Sequence, residues 1–279
     1  MEDLFFKNKD VLKLIKEIEN YIIKDLNNSR DIQEFKENHL FLAVYDISHT
    51  FYLNYIDINN CVTISSARTL SRKLYELLLY LKYILESDNE SSKRAERYFS
   101  YNEYKKIKVL ELNGVNSGLS QQQIIKLKNK LTKLEHLFIK TFSNSKIKVK
   151  KIGDINRWYM ERITSNKKIG NIGMLSDYLN MDYYYQHIYR SFSADVHSIG
   201  NEKDKTIYIL GQNLYISNRE RKKFEEGDTL SSEIELSSFT NYIVAKFIEL
   251  CSNFIENKEW WYGYKQSFEE YYNNKWSGK

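Results

Sequence analysis

The complete absence of proline is the feature that most constrains the fold of this 279-residue chain. Proline is the strongest breaker of α-helices, because its ring fixes φ and removes a backbone N–H donor. Without it, helices can run uninterrupted wherever apolar residues recur at helical spacing. The same composition, rich in Lys, Asn, Ile and Tyr, is also what the codon bias of an AT-rich bacterial genome produces. The absence of proline therefore permits a helical fold but does not predict one. The prediction has to come from the spacing of the apolar residues.

Helical periodicity recurs along most of the chain and predicts an all-α fold. The predicted helices cover residues 8–26, 31–56, 63–86, 91–112, 119–142, 155–164 and 231–257, and one further helix follows Asp182 and ends near Gly200. Ser120 and Asp182 are the expected N-caps of two of them. A charged loop, NRERKKFEEGD, is predicted before the last helix, and the runs TIYI and LYIS predict a small β-hairpin near residues 205–218. We expect a single domain over residues 1–279, in which a helical bundle carries this hairpin and an aromatic C-terminal tail.

Composition excludes several classes of protein. The net charge of +5, from 42 basic and 37 acidic residues, is too small to identify a nucleic-acid binder by itself. Cys61 and Cys251 have no Cys or His neighbour at metal-ligand spacing and are predicted to be reduced thiols. No secretory signal, membrane-spanning run or nucleotide-binding, zinc or EF-hand motif is recognisable. We therefore expect a cytoplasmic protein that needs no cofactor, no metal and no membrane.

One segment carries residues suited to catalysis. In YRSFSADVHS, residues 189–198, Arg190 and His197 are seven residues apart. An α-helix turns about 100° per residue, so the two lie within about 20° of each other around the axis. Along the axis they are about 10 Å apart, too far for tight contact within one helix. A groove at a dimer axis would suit the pair better.

Arginine and histidine together suit metal-independent cleavage of RNA. Histidine can move the proton when a 2′-hydroxyl attacks the neighbouring phosphodiester, and arginine can hold the phosphate and its developing charge. A helix end near Gly200 would favour protonated His197. Arg190 and His197 are therefore the candidate catalytic residues, with Ser193 or Asp195 positioning one of them.

Two earlier helices contribute supporting candidates. Arg72 and Glu76 are spaced for an i,i+4 ion pair within a leucine-rich helix. That pair is either purely structural or lies beside the Arg190 and His197 site. The helix over residues 91–112 interleaves basic and aromatic residues, and its candidate RNA contacts are Arg94, Arg97, Tyr98 and Tyr101. The alternative is that this helix is an ordinary solvated amphipathic helix.

The spacing of Arg190 and His197 resembles the Arg-x4-6-His signature of the HEPN superfamily, which comprises all-helical nucleotide-binding and ribonuclease domains common in toxin-antitoxin and phage-defence systems. The chain is also similar, over about residues 60–200, to an uncharacterised bacterial HEPN-like family. There a helix with Arg-x-x-x-Glu precedes a basic, aromatic helix and a later Tyr-Arg-x-x-Ser-x-x-x-His segment. The matching residues are Arg72 and Glu76, then Tyr189, Arg190, Ser193 and His197.

This resemblance implies a helical bundle of HEPN type that acts as a metal-independent endoribonuclease, leaves a 2′,3′-cyclic phosphate and serves as a toxin or antiviral defence effector. It also implies a homodimer with a composite site, and as partners RNA and a cognate antitoxin or other defence-system protein. Ser191 departs from the pattern, because many active HEPN nucleases carry Asn, Asp or His after the arginine. That departure favours the alternative, a non-catalytic module that binds RNA, a nucleotide or a protein. A third alternative is a structural scaffold in which Arg190 pairs with Asp195 and His197 caps a helix.

Overall fold

The computed structural model describes residues 39–61, 64–114, 118–142, 148–162, 168–190, 192, 207–210, 213–216 and 219–255, and single helical residues between 13 and 24 and between 262 and 270. Within this part of the chain the protein is predominantly helical, which confirms the predicted all-α fold.

The elements follow one another in this order: α1 His39–Asn59, α2 Ile64–Leu85, α3 Asp88–Asn113, α4 Gln121–Lys140, a 3-10 turn Ile152–Asp154, β1 Glu161–Arg162, β2 Lys168–Ile169, α5 Ile172–Tyr178, α6 Asp182–Tyr184, a π turn Tyr185–Tyr189, β3 Ile207–Leu210, β4 Asn213–Ile216 and α7 Arg219–Phe254. Strands β1 and β2 pair antiparallel, with Glu161 opposite Ile169. Strands β3 and β4 also pair antiparallel, with Ile207 opposite Ile216 and Leu210 opposite Asn213, which confirms the predicted hairpin.

Capping explains where α4 begins and corrects the expected start of α6. The Ser120 hydroxyl accepts a hydrogen bond from the Gln123 backbone N–H at 3.3 Å, and the Gln123 side chain accepts one from the Ser120 N–H at 2.8 Å. This reciprocal capping box confirms Ser120 as the N-cap. Asp182, in contrast, is the first helical residue of α6, and Met181 occupies the cap position without a side-chain hydrogen bond. The prediction that Asp182 caps this helix is therefore wrong.

Two other predicted elements are also wrong, one a helix and the other a loop. Residues 155–162, predicted to be helical, form turns and strand β1. The consecutive side chains of Trp158 and Tyr159 are both buried and both contact the Tyr80 ring, at centroid distances of 5.4 and 5.6 Å. Helix α7 begins at Arg219, so the expected charged loop is helical. Its Arg, Lys and Glu residues are good helix formers, and nothing but one glycine interrupts them before Ser231.

The contacts divide the chain into two compact units. Unit 1 comprises Met1–Tyr21, Ser48–Leu78 and Met181–Lys279, and unit 2 comprises Ile22–Ile47 and Leu79–Asn180. Two of the four boundaries therefore fall within helices, one in α1 and one in α2. The expectation of a single domain over residues 1–279 stays a prediction.

The core of unit 1 joins α1, α2 and α7. The Phe51 and Phe247 rings stack with their centroids 3.7 Å apart. The hydroxyls of Ser71 and Thr240 are 2.7 Å apart and both buried, so the two groups satisfy each other without water. These contacts fix the face of α2 that carries Arg72 and Glu76.

The core of unit 2 centres on α3 and α4, which pack against each other. One cluster between them is built on Ile107, Leu131 and Leu134. A second, aromatic cluster forms around Trp158, whose ring lies 5.0 Å from that of Tyr98 on α3. Arg94, Arg97, Tyr98 and Tyr101 of α3 are therefore part of a packed interior.

Candidate functional site

Arg72, Glu76 and Tyr189 meet in one hydrogen-bonded cluster within unit 1. The Tyr189 hydroxyl accepts a hydrogen bond from Arg72 Nη2 at 3.0 Å and donates one to Glu76 Oε1 at 2.7 Å. Arg72 Nη2 lies 3.9 Å from Glu76 Oε1, so the predicted ion pair is present. The Arg72 guanidinium also lies 4.5 Å from the centroid of the Tyr189 ring. Tyr189 thus bridges the two charged side chains of α2.

Burial fixes the protonation state of Tyr189. This side chain is 5% exposed, and desolvation, followed by the charge of Glu76, raises the pKa of its hydroxyl well above the ordinary value. The hydroxyl therefore stays protonated at neutral pH and keeps donating to Glu76. The side chains of Arg72 and Glu76 are 14% and 24% exposed, so water still reaches the edge of the cluster.

Two further tyrosines hold the ring of Tyr189. The Tyr185 ring stacks against it, with centroids 5.1 Å apart and planes 23° apart. The Tyr75 ring is tilted against it at 5.5 Å, and the Tyr75 hydroxyl donates to the backbone oxygen of Met181 at 2.8 Å. Tyr189 is therefore fixed by stacking as well as by its hydroxyl.

The π turn over Tyr185–Tyr189 leads directly into Arg190. The Arg190 N–H donates to the Tyr185 carbonyl, five residues earlier, as this geometry requires. Such one-turn π segments occur frequently at functional sites. The Arg190 side chain is exposed, and its Nη1 contacts Gln186 Oε1 at 3.1 Å. In the described part of the chain the Arg190 guanidinium contacts an amide oxygen and no carboxylate.

The other residues of the expected catalytic group, Ser193, Asp195 and His197, lie outside the described residues. The structure brings together three of the expected supporting residues, and it places Arg190 next to one of them in the chain. The catalytic roles of Arg190 and His197 stay predictions.

The expected RNA contacts of α3 lie inside unit 2. Arg94 is 4% exposed and pairs with Glu86 at 2.8 Å and with Glu161 at 3.6 Å. Arg97 is 1% exposed and donates to the Thr141 hydroxyl and carbonyl oxygens at 3.3 and 3.2 Å. Desolvation lowers the pKa of Arg97 below its ordinary value. Neither guanidinium is placed to reach a phosphate.

The two tyrosines of this set are also engaged internally. The Tyr98 hydroxyl donates to Asp46 Oδ2 at 2.6 Å, and the Tyr101 hydroxyl donates to the Asn156 carbonyl at 2.9 Å. Both rings are buried. The interpretation as RNA contacts requires these side chains to lie at the surface, whereas the structure uses them in contacts within unit 2. The structure gives no support to Arg94, Arg97, Tyr98 and Tyr101 as RNA contacts, and that role stays a prediction.

Among the described residues, no group of three or more His, Cys, Asp or Glu side chains is arranged to hold a metal ion. In the same residues, no helix combines the length and the apolar character needed to cross a membrane. Cys61 and Cys251 are free thiols, as predicted.

Sequence reasoning missed Tyr75 and Tyr185, which complete the support of Tyr189. Neither lies in a recognisable pattern, and a π turn differs from an α-helix by a single extra residue per turn, which periodicity does not resolve. The one available signal was the run of three tyrosines, Tyr183 to Tyr185, which lies shortly before Arg190.

Fold and site together define a predominantly helical protein in which an exposed arginine follows a π turn anchored by a buried tyrosine. The sequence profile of the family described as Family of unknown function (DUF5677) matches residues 60–207, more than half of the chain. The chain therefore belongs to the DUF5677 family. The matched range includes α2, the π turn and both predicted catalytic residues. Comparison with curated proteins and with solved structures gave no match.

Proposed function

We propose that this protein is a metal-independent endoribonuclease of HEPN type, which acts in the cytoplasm as a toxin or antiviral defence effector. The observation that carries the proposal is the exposed guanidinium of Arg190 at the end of a π turn whose last residue, Tyr189, is bound to Arg72 and Glu76. An anchored turn holds the arginine backbone in place, and an exposed guanidinium can bind a phosphate through its N–H donors. Preorganised positive charge of this kind stabilises a reacting phosphodiester.

The reaction divides between the two predicted catalytic residues. Arg190 binds the non-bridging oxygens of the scissile phosphate, while the ribose 2′-hydroxyl loses its proton and attacks phosphorus. The bond between phosphorus and the 5′-oxygen breaks, and that oxygen takes up a proton. His197 supplies or removes one of these protons, and the products are a 2′,3′-cyclic phosphate and a 5′-hydroxyl.

The resemblance to HEPN domains adds an expectation about assembly. Two copies of the Arg190 and His197 segment would meet at a symmetric interface and form one composite site. A homodimer, RNA as the substrate and an inhibitory or defence-system partner protein belong to the same proposal.

The test is cleavage of a cellular RNA pool by the purified full-length protein in excess EDTA. Arg190→Ala and His197→Ala should each lower the cleavage rate by about 100-fold or more, because removal of a group that stabilises the developing charge and removal of a general acid or base both have effects of this size. Matched controls are Arg157→Ala and His136→Ala, which change exposed residues of unit 2 and should cleave as the wild type does.

Three results would contradict the nuclease. The first is cleavage by His197→Ala at the wild-type rate, and the second is cleavage that EDTA abolishes. The third is RNA binding by the wild type without any cleavage, which would instead support the non-catalytic module that Ser191 favours.

A further inference from the structure

Tyr185 is the surface member of an aromatic group that begins on α2. The Arg72 guanidinium lies 4.5 Å from the Tyr189 ring centroid, and the Tyr185 ring stacks on Tyr189 at 5.1 Å with an interplanar angle of 23°. This separation and angle correspond to an offset stack. Tyr189 is buried, whereas Tyr185 is half-buried. The stack on Tyr189 therefore fixes the orientation of the Tyr185 ring, while the residue as a whole is only partly buried.

Tyr185 and Arg190 are neighbours across the π turn. The Arg190 N–H donates to the Tyr185 carbonyl, so the two residues lie about one helical turn apart along the axis, on the order of 5 Å. Gln186 Oε1 contacts Arg190 Nη1 and restrains the guanidinium at the same turn. Side chains that start from backbone positions this close can contact a base and the adjoining phosphate of one nucleotide.

We propose that Tyr185 forms a base-stacking subsite, in which an unpaired RNA base stacks on its ring while Arg190 binds the adjacent phosphate. This inference rests on the proposed function and names single-stranded RNA as the substrate of the site. Proteins bind single strands by combining cationic contacts to phosphates with aromatic platforms, because every base has a π face that can stack. A duplex keeps its bases paired and stacked, so it cannot occupy the subsite.

Tyr183 provides a matched internal control. It is 63% exposed, and its ring makes an edge contact with that of Tyr184 at 5.3 Å. It lies two positions before Tyr185, which places it about 200° away around a helix axis and so on another face. Exposure alone would favour Tyr183 as the platform, whereas proximity to Arg190 favours Tyr185.

The experiment measures RNA binding without cleavage. The full-length His197→Ala protein is titrated into an unstructured RNA oligonucleotide that carries one 2-aminopurine, whose fluorescence is quenched when it stacks on an aromatic ring. We expect quenching by this protein and by its Tyr185→Phe derivative, because phenylalanine keeps the ring. Tyr185→Leu should lose the quenching and bind about 5- to 150-fold more weakly, the effect of removing one stacked base. Tyr183→Leu should match the parent, and circular dichroism should show that all variants are folded.

The outcomes separate this subsite from the ribonuclease itself. If the quenching depends on Tyr185 but the wild type does not cleave RNA, the stacking subsite is supported and the proposed ribonuclease activity is contradicted. If Tyr185→Leu quenches the fluorescence normally, or if Tyr183→Leu loses the quenching instead, the proposal of a stacking subsite at Tyr185 is overturned. Cleavage by the wild type would still support the ribonuclease in that case. Equal losses in Tyr185→Phe and Tyr185→Leu would also overturn it, because the hydroxyl rather than the ring would then matter. Absence of quenching by the parent protein would overturn it as well.

Discussion

The hydroxyl of Tyr189 links the π turn to α2, and Tyr189→Phe removes that one atom while keeping the ring. The variant loses the hydrogen bond from Arg72 at 3.0 Å and the one to Glu76 at 2.7 Å. Stacking on Tyr185 and the contact with the Arg72 guanidinium remain possible, because both involve the ring. The change therefore isolates the contribution of the two hydrogen bonds.

The size of the effect follows from the charges and the exposure of the two partners. Hydrogen bonds to charged groups contribute about 1.5 to 3 kcal/mol each. Arg72 and Glu76 are 14% and 24% exposed and lie 3.9 Å apart, so water and their own ion pair replace part of the loss. We therefore expect Tyr189→Phe to lower the free energy of unfolding by about 2 to 3 kcal/mol.

Tyr75→Phe is the matched control in the same unit. It removes one hydrogen bond, from the buried Tyr75 hydroxyl to the uncharged Met181 carbonyl, and should lower the free energy of unfolding by about 1 kcal/mol. Urea unfolding followed by circular dichroism and by tryptophan fluorescence measures both variants. A loss in Tyr189→Phe equal to or smaller than that in Tyr75→Phe would refute the reasoning, because the Tyr189 cluster would then add nothing beyond one ordinary hydrogen bond.

Three further predictions concern the buried polar groups and a helix cap. Arg94→Met should lower the free energy of unfolding by about 3 kcal/mol, because it leaves two carboxylates without their cation. Arg97→Met should lower it by about 1 kcal/mol or less, because Arg97 has no described carboxylate partner and its buried Nη1 has no hydrogen-bond partner. Equal losses of the two variants in urea unfolding would contradict this prediction. Burial, and then Asp46, raises the pKa of Tyr98 above its ordinary value of 10.0, so the stability that depends on its protonated form is complete below about pH 10 and decreases above it. Tyr98→Phe should make the fall in stability between about pH 10 and 11 less steep, and an unchanged slope would count against the assignment. Ser120→Ala should destabilise α4 by about 1 kcal/mol, and urea unfolding at wild-type stability would show that the capping box is not needed.

The strongly periodic elements could be predicted from the sequence. The leucine-rich pattern of α2 specifies a helix buried over most of its surface, and the Ser120 and Gln123 pair specifies where α4 begins. These features depend on residues within a few positions of one another. Local reasoning therefore suffices for them.

The remaining features depend on contacts between distant parts of the sequence. Buried Arg94 pairs with two carboxylates, and one of them belongs to Glu161, 67 positions later, which no local pattern indicates. The segment around Trp158 and Tyr159 is not helical, and both of these side chains pack on Tyr80. Tertiary packing overrides local propensity in each case.

The candidate site shows the same division. Arg72 and Glu76 could be paired from their spacing, and the structure contains that pair. Their shared contact with Tyr189 joins residues more than a hundred positions apart in the sequence. The π turn that ends at Tyr189 has no periodic signal in the sequence. The sequence could therefore nominate Tyr189 as a supporting residue without showing what it supports.

The central claim is that Arg190 and His197 cleave RNA without a metal, and the chemical nature of the new RNA ends tests it most directly. Wild-type protein should produce 2′,3′-cyclic phosphate and 5′-hydroxyl ends in excess EDTA, and His197→Ala should produce neither above background. Ends that carry a 5′-phosphate, or cyclic ends formed equally by His197→Ala, would contradict the account, because the first requires attack by a nucleophile other than the 2′-hydroxyl and the second removes His197 from the reaction.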